Sequence, residues 1–136
     1  MITTLLLSGK RKSGKDYIAE KLAAQIPNSQ IIRLSAPLKR AFAREHNLDY
    51  DELMTPGAYK EQYRVAMIAW GEEKRQIEPG FFCSLAWATV NPQSEVVIVA
   101  DCRRVTDFEF FINLKNVTPL SIRIEARQDS LLSCAQ

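Results

Sequence analysis

Two glycines and a lysine near the start of the chain have the spacing of a loop that binds phosphate. Gly9 and Gly14 are separated by four residues, and Lys15 and Asp16 follow directly. In this frame the glycines let consecutive backbone N–H groups turn towards an anion, and the start of the following helix adds partial positive charge. Lys15 would then reach the β- and γ-phosphates of a nucleotide.

The residues on both sides of this loop have the patterns that such a loop requires. The apolar run Leu5–Leu7 predicts a buried strand before the loop, and Ile18, Leu22 and Ile26 predict a helix after it. Asp16 stands where Ser or Thr usually binds magnesium, but a carboxylate can hold the ion directly or through water. The motif alone leaves open a glycine- and lysine-rich turn that binds nothing.

The positive charge of the chain is concentrated in the same loop. The net charge is only +2, yet four cations lie close together: Lys10, Arg11, Lys12 and Lys15. Basic runs are most often a solvated face or a patch that binds nucleic acid. Because these residues share the loop with the glycines, a nucleotide polyphosphate is favoured over a nucleic-acid backbone.

Composition and cysteine spacing indicate an ordinary soluble domain. The chain has 136 residues, of which 46% are hydrophobic and 25% are charged. We expect no membrane span, because the longest apolar runs are far below about 20 residues. We expect no secretory signal, because the N-terminus lacks a basic region and leads directly into the predicted phosphate loop. Cys83, Cys102 and Cys134 are too widely spaced to suggest a zinc site or a disulfide framework, which favours a reducing cytosol. His46, the single histidine, is interpreted as a solvated helix-end residue.

A second set of candidate site residues follows a predicted central strand, Val96–Ala100. Asp101 comes directly after this strand, at the edge of a parallel sheet where phosphate-loop proteins commonly hold magnesium. Arg103 and Arg104 come next, and two guanidinium groups there suit anionic oxygens. A salt bridge from these arginines to Asp101 or Asp107 is the alternative.

The segment 58–76 has a strong helical pattern with two distinct sides. The aromatic side holds Tyr59, Tyr63 and Trp70, and the adjacent cationic side holds Lys60, Arg64 and Arg75. Such a helix can pack through one side and present the other to a cleft. Solvated charges beside Glu61 and Glu72 remain the alternative.

The order of the remaining elements predicts the fold class. The predicted strands are Ile31–Ser35 and Leu120–Glu125, and the predicted helices are Pro37–His46, Asp51–Met54, Phe81–Val90 and Val105–Leu114. Strands and helices therefore alternate, which predicts an α/β fold with a parallel sheet flanked by helices.

Four motifs taken together resemble animal-type phosphomevalonate kinases. They are Gly9-Lys-Arg-Lys-Ser-Gly-Lys-Asp16, Trp70-Gly-Glu-Glu-Lys-Arg-Gln76, Pro79-Gly-Phe-Phe-Cys83 and Asp101-x-Arg-Arg-Val-x-Asp107. Arg33-Leu-Ser35, Pro37-Leu-Lys39 and Tyr59-Lys-Glu61 fit as well, so the resemblance runs from about residue 4 to 127. It implies a P-loop kinase fold similar to that of nucleoside monophosphate kinases. It also implies transfer of the ATP γ-phosphoryl group to (R)-5-phosphomevalonate, with Mg²⁺, in the mevalonate route to isoprenoids and sterols.

The resemblance also implies roles for individual residues. The ATP-binding residues would be Gly9, Lys10, Arg11, Lys12, Ser13, Gly14, Lys15 and Asp16. The catalytic residues would be Lys12, Lys15, Arg103 and Arg104. The substrate-binding residues would be Lys39, Lys60, Arg64, Arg75, Arg103 and Arg104. Asp16 and Asp101 are the candidate ligands of magnesium.

The C-terminal residues depart from this resemblance. We expect an incomplete kinase domain over residues 1–128 and a divergent tail over 129–136, without the lid and last strand of the family. A catalytically impaired nucleotide-binding isoform or fragment is therefore the alternative to an active kinase. We further expect a cytosolic monomer that binds neither nucleic acid nor membranes.

Overall fold

A computed structural model describes residues 1–10, 13–55 and 57–125 of the chain. In these residues strands and helices alternate much as the sequence predicts. Their bounds are β1 (Ile2–Ser8), α1 (Lys15–Gln25), β2 (Ser29–Ile32), α2 (Ser35–His46), α3 (Tyr50–Met54), α4 (Ala58–Ile77), α5 (Phe81–Trp87), β3 (Val96–Val99), α6 (Val105–Ile112) and β4 (Val117–Arg123).

The strands form one parallel sheet, which confirms the predicted fold class. The strand order is β2-β3-β1-β4, so β1 lies between two neighbours. This strand leads into the loop that contains Gly9 and Gly14, called the glycine loop below. Leu5 pairs with Ile98 on one side and with Leu120 on the other. Because residues 4–7 and 97–99 are buried, these inner strands have continuous apolar runs in place of alternating ones.

The described residues divide into two compact units. The first consists of Met1–Ile32 together with the chain from Val90 to Glu125, and it contains the whole sheet. Its core joins β1 and β3 to one side of α1, where Ala19 is buried and Leu22 and Ile26 pack against it. The apolar spacing that predicted α1 is therefore the surface by which this helix attaches to the sheet.

The second unit, Arg33–Thr89, is helical and has a core of its own. The buried centre consists of Phe42, Ala43, Leu53 and Met67, and the aromatic side of α4 packs against it. Trp70 meets the ring of Phe42 edge-on at 5.6 Å between centroids, and its indole N–H donates to Glu45 at 2.7 Å. The prediction that α4 packs through its aromatic side is confirmed.

Several predicted boundaries are wrong, and local chemistry explains the shifts. The second strand was expected to continue to Ser35, but β2 ends at Ile32 and Ser35 begins α2. Pro37 lies in the first turn of that helix, where its missing N–H costs nothing. The strand expected at Leu120–Glu125 is instead β4, Val117–Arg123, because it pairs along the full length of β1. The helix expected to reach Val90 ends at Trp87.

The predicted boundary between a kinase domain and a divergent tail cannot be placed on this fold. Residues 126–136 lie outside the described part of the chain, and that boundary stays a prediction. Among the described helices, none combines the length and the hydropathy needed to cross a bilayer.

Candidate phosphate-binding site

The glycine loop joins the end of β1 to the start of α1 and has the backbone geometry that its sequence predicts. Gly9 has φ of 152° and Gly14 has φ of 93°, conformations that side chains with a Cβ rarely adopt. The Ser13 N–H donates to the Lys10 carbonyl at 3.1 Å, which folds the loop back on itself. Lys15 is the first residue of α1, so the unpaired N–H groups of its first turn adjoin the loop.

The end of β4 packs closely against the start of this loop. The Ile124 N–H donates to the Ser8 carbonyl at 2.7 Å. A Cβ on Gly9 would collide with the Ile124 carbonyl oxygen and would lie 2.8 Å from the Ser13 hydroxyl. Gly9 is therefore required both by its φ angle and by the close approach of β4.

The hydroxyl of Ser13 gives this loop a polar group that suits a ligand. Its oxygen is buried and has no hydrogen-bond partner among the residues that the structure describes. A buried polar atom without a partner is unfavourable by about 1–3 kcal/mol. A phosphate oxygen in the loop would satisfy this hydroxyl; that Ser13 binds ATP stays a prediction.

The carboxyl end of β3 is attached to the same edge of the sheet. The Cys102 N–H donates to the Leu7 carbonyl at 3.2 Å, immediately before the glycine loop. The pKa of the Cys102 thiol is raised from 9.0 to about 12, mainly by burial and then by Asp107 and Asp101, while Lys15 acts in the opposite direction. Lys15 and Asp101 thus both act on the same thiol at this edge of the sheet.

Arg103 and Arg104 follow Cys102 and lead into α6. Arg103 is exposed and Arg104 is half-buried. One carboxylate oxygen of Asp107, Oδ2, accepts the backbone N–H of Arg103 at 3.1 Å and that of Arg104 at 3.0 Å. These two bonds join Asp107 to the main chain of both arginines, and a salt bridge from their side chains to Asp101 or Asp107 stays the alternative stated from the sequence.

The other predicted cations lie in the second unit. Lys39 is half-buried on α2, and Lys60 is half-buried on α4. Arg64 is exposed, one turn beyond Lys60. Arg75 lies over the ring of Phe82 at 4.9 Å and approaches Glu72 at 3.4 Å, so it also holds α4 to α5. Whether these side chains bind a substrate stays a prediction.

The two candidate magnesium ligands and the single histidine differ in their exposure. Asp16 is exposed in the first turn of α1, and Asp101 is half-buried after β3. Among the described residues no group of three or more His, Cys, Asp or Glu side chains could hold a metal ion.

His46 is the last residue of α2 and is exposed, as the sequence predicts, and its ring stacks on that of Phe42 at 4.1 Å between centroids. Arg11 and Lys12 lie outside the described residues.

Comparison with known proteins identifies the family. The sequence model of the family described as phosphomevalonate kinase matches residues 7–117, which include the glycine loop and the Asp101–Asp107 segment. The chain belongs to the phosphomevalonate kinase family. A phosphomevalonate kinase of Drosophila melanogaster is 43% identical over 114 residues, which cover 82% of this chain and 60% of that relative. The chain thus spans about 60% of the length of this curated phosphomevalonate kinase.

Family membership confirms the resemblance stated from the motifs. Two features of the site were not found from the sequence, namely the approach of Ile124 to Gly9 and the bonds from Asp107 to the arginine main chain. For Asp107 a signal existed, because an acidic residue three positions after a helix N-cap is a known capping pattern. For Ile124 none existed, because the approach depends on how β4 pairs with β1.

Proposed function

We propose that this chain transfers the γ-phosphoryl group of ATP to the phosphate of (R)-5-phosphomevalonate, giving 5-diphosphomevalonate and ADP. The observation that supports it most is the family match across residues 7–117. The glycine loop, the lysine at the start of α1 and the buried Ser13 hydroxyl provide the kinds of group that bind a polyphosphate. The reaction would belong to the mevalonate route to isoprenoids and sterols.

In this proposal the protein contributes positioning and positive charge. Lys15 holds the β- and γ-phosphates of ATP, and Lys12 stabilises charge on the transferring group. Arg103 and Arg104 bind phosphate oxygens of the substrates at the carboxyl edge of the sheet, with Lys39, Lys60, Arg64 and Arg75 as further substrate-binding cations. Phosphoryl transfer between two anions depends mainly on such neutralisation. A phosphate acceptor is already ionised, so no general base is needed.

Magnesium is the cofactor that this reaction implies. Mg²⁺ usually binds one or two carboxylates, several waters and the phosphates of its nucleotide, so it does not need a cage of protein ligands. Asp16 and Asp101 supply hard oxygen donors on the first turn of α1 and after β3. When bound with ATP, the ion would neutralise charge on the β- and γ-phosphates.

We also propose the setting of this reaction. Cys83 and Cys102 are buried and are not joined in a disulfide, which fits a reducing cytosol. We propose a monomer that binds neither nucleic acid nor membranes. Salt-sensitive retention on DNA or RNA that ATP does not compete would contradict this, and so would a dimer mass in light scattering.

The test measures ADP release that requires both ATP and phosphomevalonate, with Lys15→Ala as the inactive variant. We expect Lys15→Ala to lower the rate by about 10²-fold or more, because it removes a charge that contacts the transferring phosphate. Lys21→Ala is the matched control: Lys21 is an exposed cation on the same helix, 5.6 Å from the ring of Tyr17, and its loss should leave the rate unchanged.

A thermal-shift measurement with Mg-ATP separates the two candidate functions. Stabilisation by Mg-ATP together with turnover supports the kinase. Stabilisation without turnover above the Lys15→Ala background would replace it with the nucleotide-binding protein named as the alternative. If Mg-ATP does not raise the unfolding temperature at all, both functions are wrong.

A further inference from the structure

The backbone that bears Arg103 and Arg104 is fixed at several points within the first unit. Before it, the Ala100 N–H donates to the Ile32 carbonyl at 3.1 Å, and the Cys102 N–H donates to the Leu7 carbonyl at 3.2 Å. These bonds attach the segment to β2 and β1. After it, Arg104 is the N-cap of α6 and its carbonyl accepts the Asp107 N–H at 3.0 Å.

Asp107 supplies the side-chain contact to this segment. Its residue is only 6% exposed, and a single oxygen, Oδ2, accepts the N–H groups of both arginines. Two donors on one oxygen fix the relative orientation of two consecutive peptide groups. The carboxylate thereby helps to fix the direction of the Cα–Cβ bond of each arginine. This bond sets the direction in which each side chain leaves the backbone.

We propose that Asp107 is a positioning residue for phosphate binding, which holds Arg103 and Arg104 so that both can bind oxygens of a phosphorylated substrate. This inference rests on the proposed function. Buried carboxylates bonded to main-chain N–H groups are strong, charge-assisted acceptors. Without this acceptor the two N–H groups lose a buried partner, and the arginine side chains must order themselves at the expense of binding free energy.

A role limited to helix capping is the competing explanation, and the chain offers a matched control for it. Asp49 is the N-cap of α3, and its Oδ1 accepts the backbone N–H groups of Asp51 at 2.9 Å and Glu52 at 3.3 Å. It therefore also bonds two main-chain N–H groups at a helix start, here forwards from an exposed N-cap in the second unit. Asp49→Ala and Asp107→Ala should both lower the unfolding temperature, Asp107→Ala by more because its site is buried.

The experiment is a double-mutant cycle on the full chain, with phosphomevalonate binding measured by titration calorimetry. We expect Asp107→Ala to weaken binding about tenfold, the lower end of the cost of removing an orienting partner behind a ligand-binding group. In a chain that already has Arg103→Ala and Arg104→Ala, it should cause no further loss. Asp49→Ala should leave binding unchanged.

Equal losses in both backgrounds, or a loss no larger than that of Asp49→Ala, would overturn the inference. Partial unfolding would produce such equal losses. If Asp107→Ala does not fold, Asp107→Asn takes its place, because it keeps an oxygen acceptor and loses the charge; its smaller loss of binding should again be absent from the chain without the two arginines. Repeating the cycle with pyrophosphate separates the two proposals: coupling with pyrophosphate supports positioning even where ADP release is absent, and absence of coupling with both ligands refutes it.

Discussion

At the scale of single residues, Cys102 shows how burial beside the glycine loop changes the acidity of a thiol. The residue is 1% exposed, and its thiol pKa is raised from 9.0 to about 12 by burial and then by Asp107 and Asp101, against the opposing effect of Lys15. A thiol with so high a pKa is a poor nucleophile at neutral pH. Cys102 is therefore a buried, unreactive thiol at neutral pH.

The raised pKa of Cys102 predicts a loss of stability at alkaline pH. The unfolded thiol ionises near pH 9 and the folded one only near 12, so its contribution is complete below pH 9 and is lost as pH rises towards 12. The slope should reach at most about 1.4 kcal/mol per pH unit. Urea unfolding followed by circular dichroism should show this extra slope in the native chain but not in Cys102→Ala. Parallel slopes in the two proteins would refute it.

At the scale of elements, the glycine loop packs against the end of β4, a strand that is remote from it in sequence. Gly9 needs its positive φ for the turn out of β1, and the Ile124 carbonyl at the end of β4 leaves no room for a Cβ. Gly57 also has a positive φ, 153°, at the start of α4, but nothing lies within 4 Å of where its Cβ would be. Substitutions at these two glycines therefore distinguish the cost of a strained φ angle from the cost of a steric collision.

We expect Gly57→Ala to lower stability by about 1–3 kcal/mol, the usual cost of a strained φ. Gly9→Ala should cost more, because the loop must also move away from Ile124. Only Gly9→Ala should abolish the thermal stabilisation by Mg-ATP, since it displaces the N–H groups that would bind phosphate. If the two variants respond equally to Mg-ATP, the loop does not hold the nucleotide.

At the scale of the whole molecule, the predicted cations are divided between the two units. The glycine loop and the Arg103–Arg104 pair belong to the sheet unit, whereas Lys39, Lys60, Arg64 and Arg75 belong to the helical unit. The two units have separate cores, one between β1, β3 and α1 and the other around Phe42.

Arg64, an exposed cation of α4 in the helical unit, tests the predicted substrate-binding set. We expect Arg64→Ala to raise the KM for phosphomevalonate about tenfold, the loss of one charge-assisted hydrogen bond, and to leave stabilisation by Mg-ATP unchanged. Arg44→Ala, an exposed cation in the last turn of α2, serves as control. An unchanged KM in Arg64→Ala would remove this residue from the substrate-binding set.

The local sequence pattern was sufficient to predict much of the fold of this protein. The strand–loop–helix unit around Gly9, the alternation of strands and helices, and the aromatic side of α4 were all predictable. Each depends on residues within one or two turns of each other, where spacing alone fixes which side chains share a face. Strand ends were less predictable, since β4 takes its length from pairing with β1.

Tertiary structure decided the features that depend on remote contacts. The spacing of Gly9 predicted a loop, but only the pairing of β1 with β4 brings Ile124 against it. The sequence placed Asp107 near two arginines, and only the folded turn into α6 directs its carboxylate to their main chain. Backbone preference acts over a few residues, whereas burial and close approach are set by which elements pack together, and no local spacing specifies that.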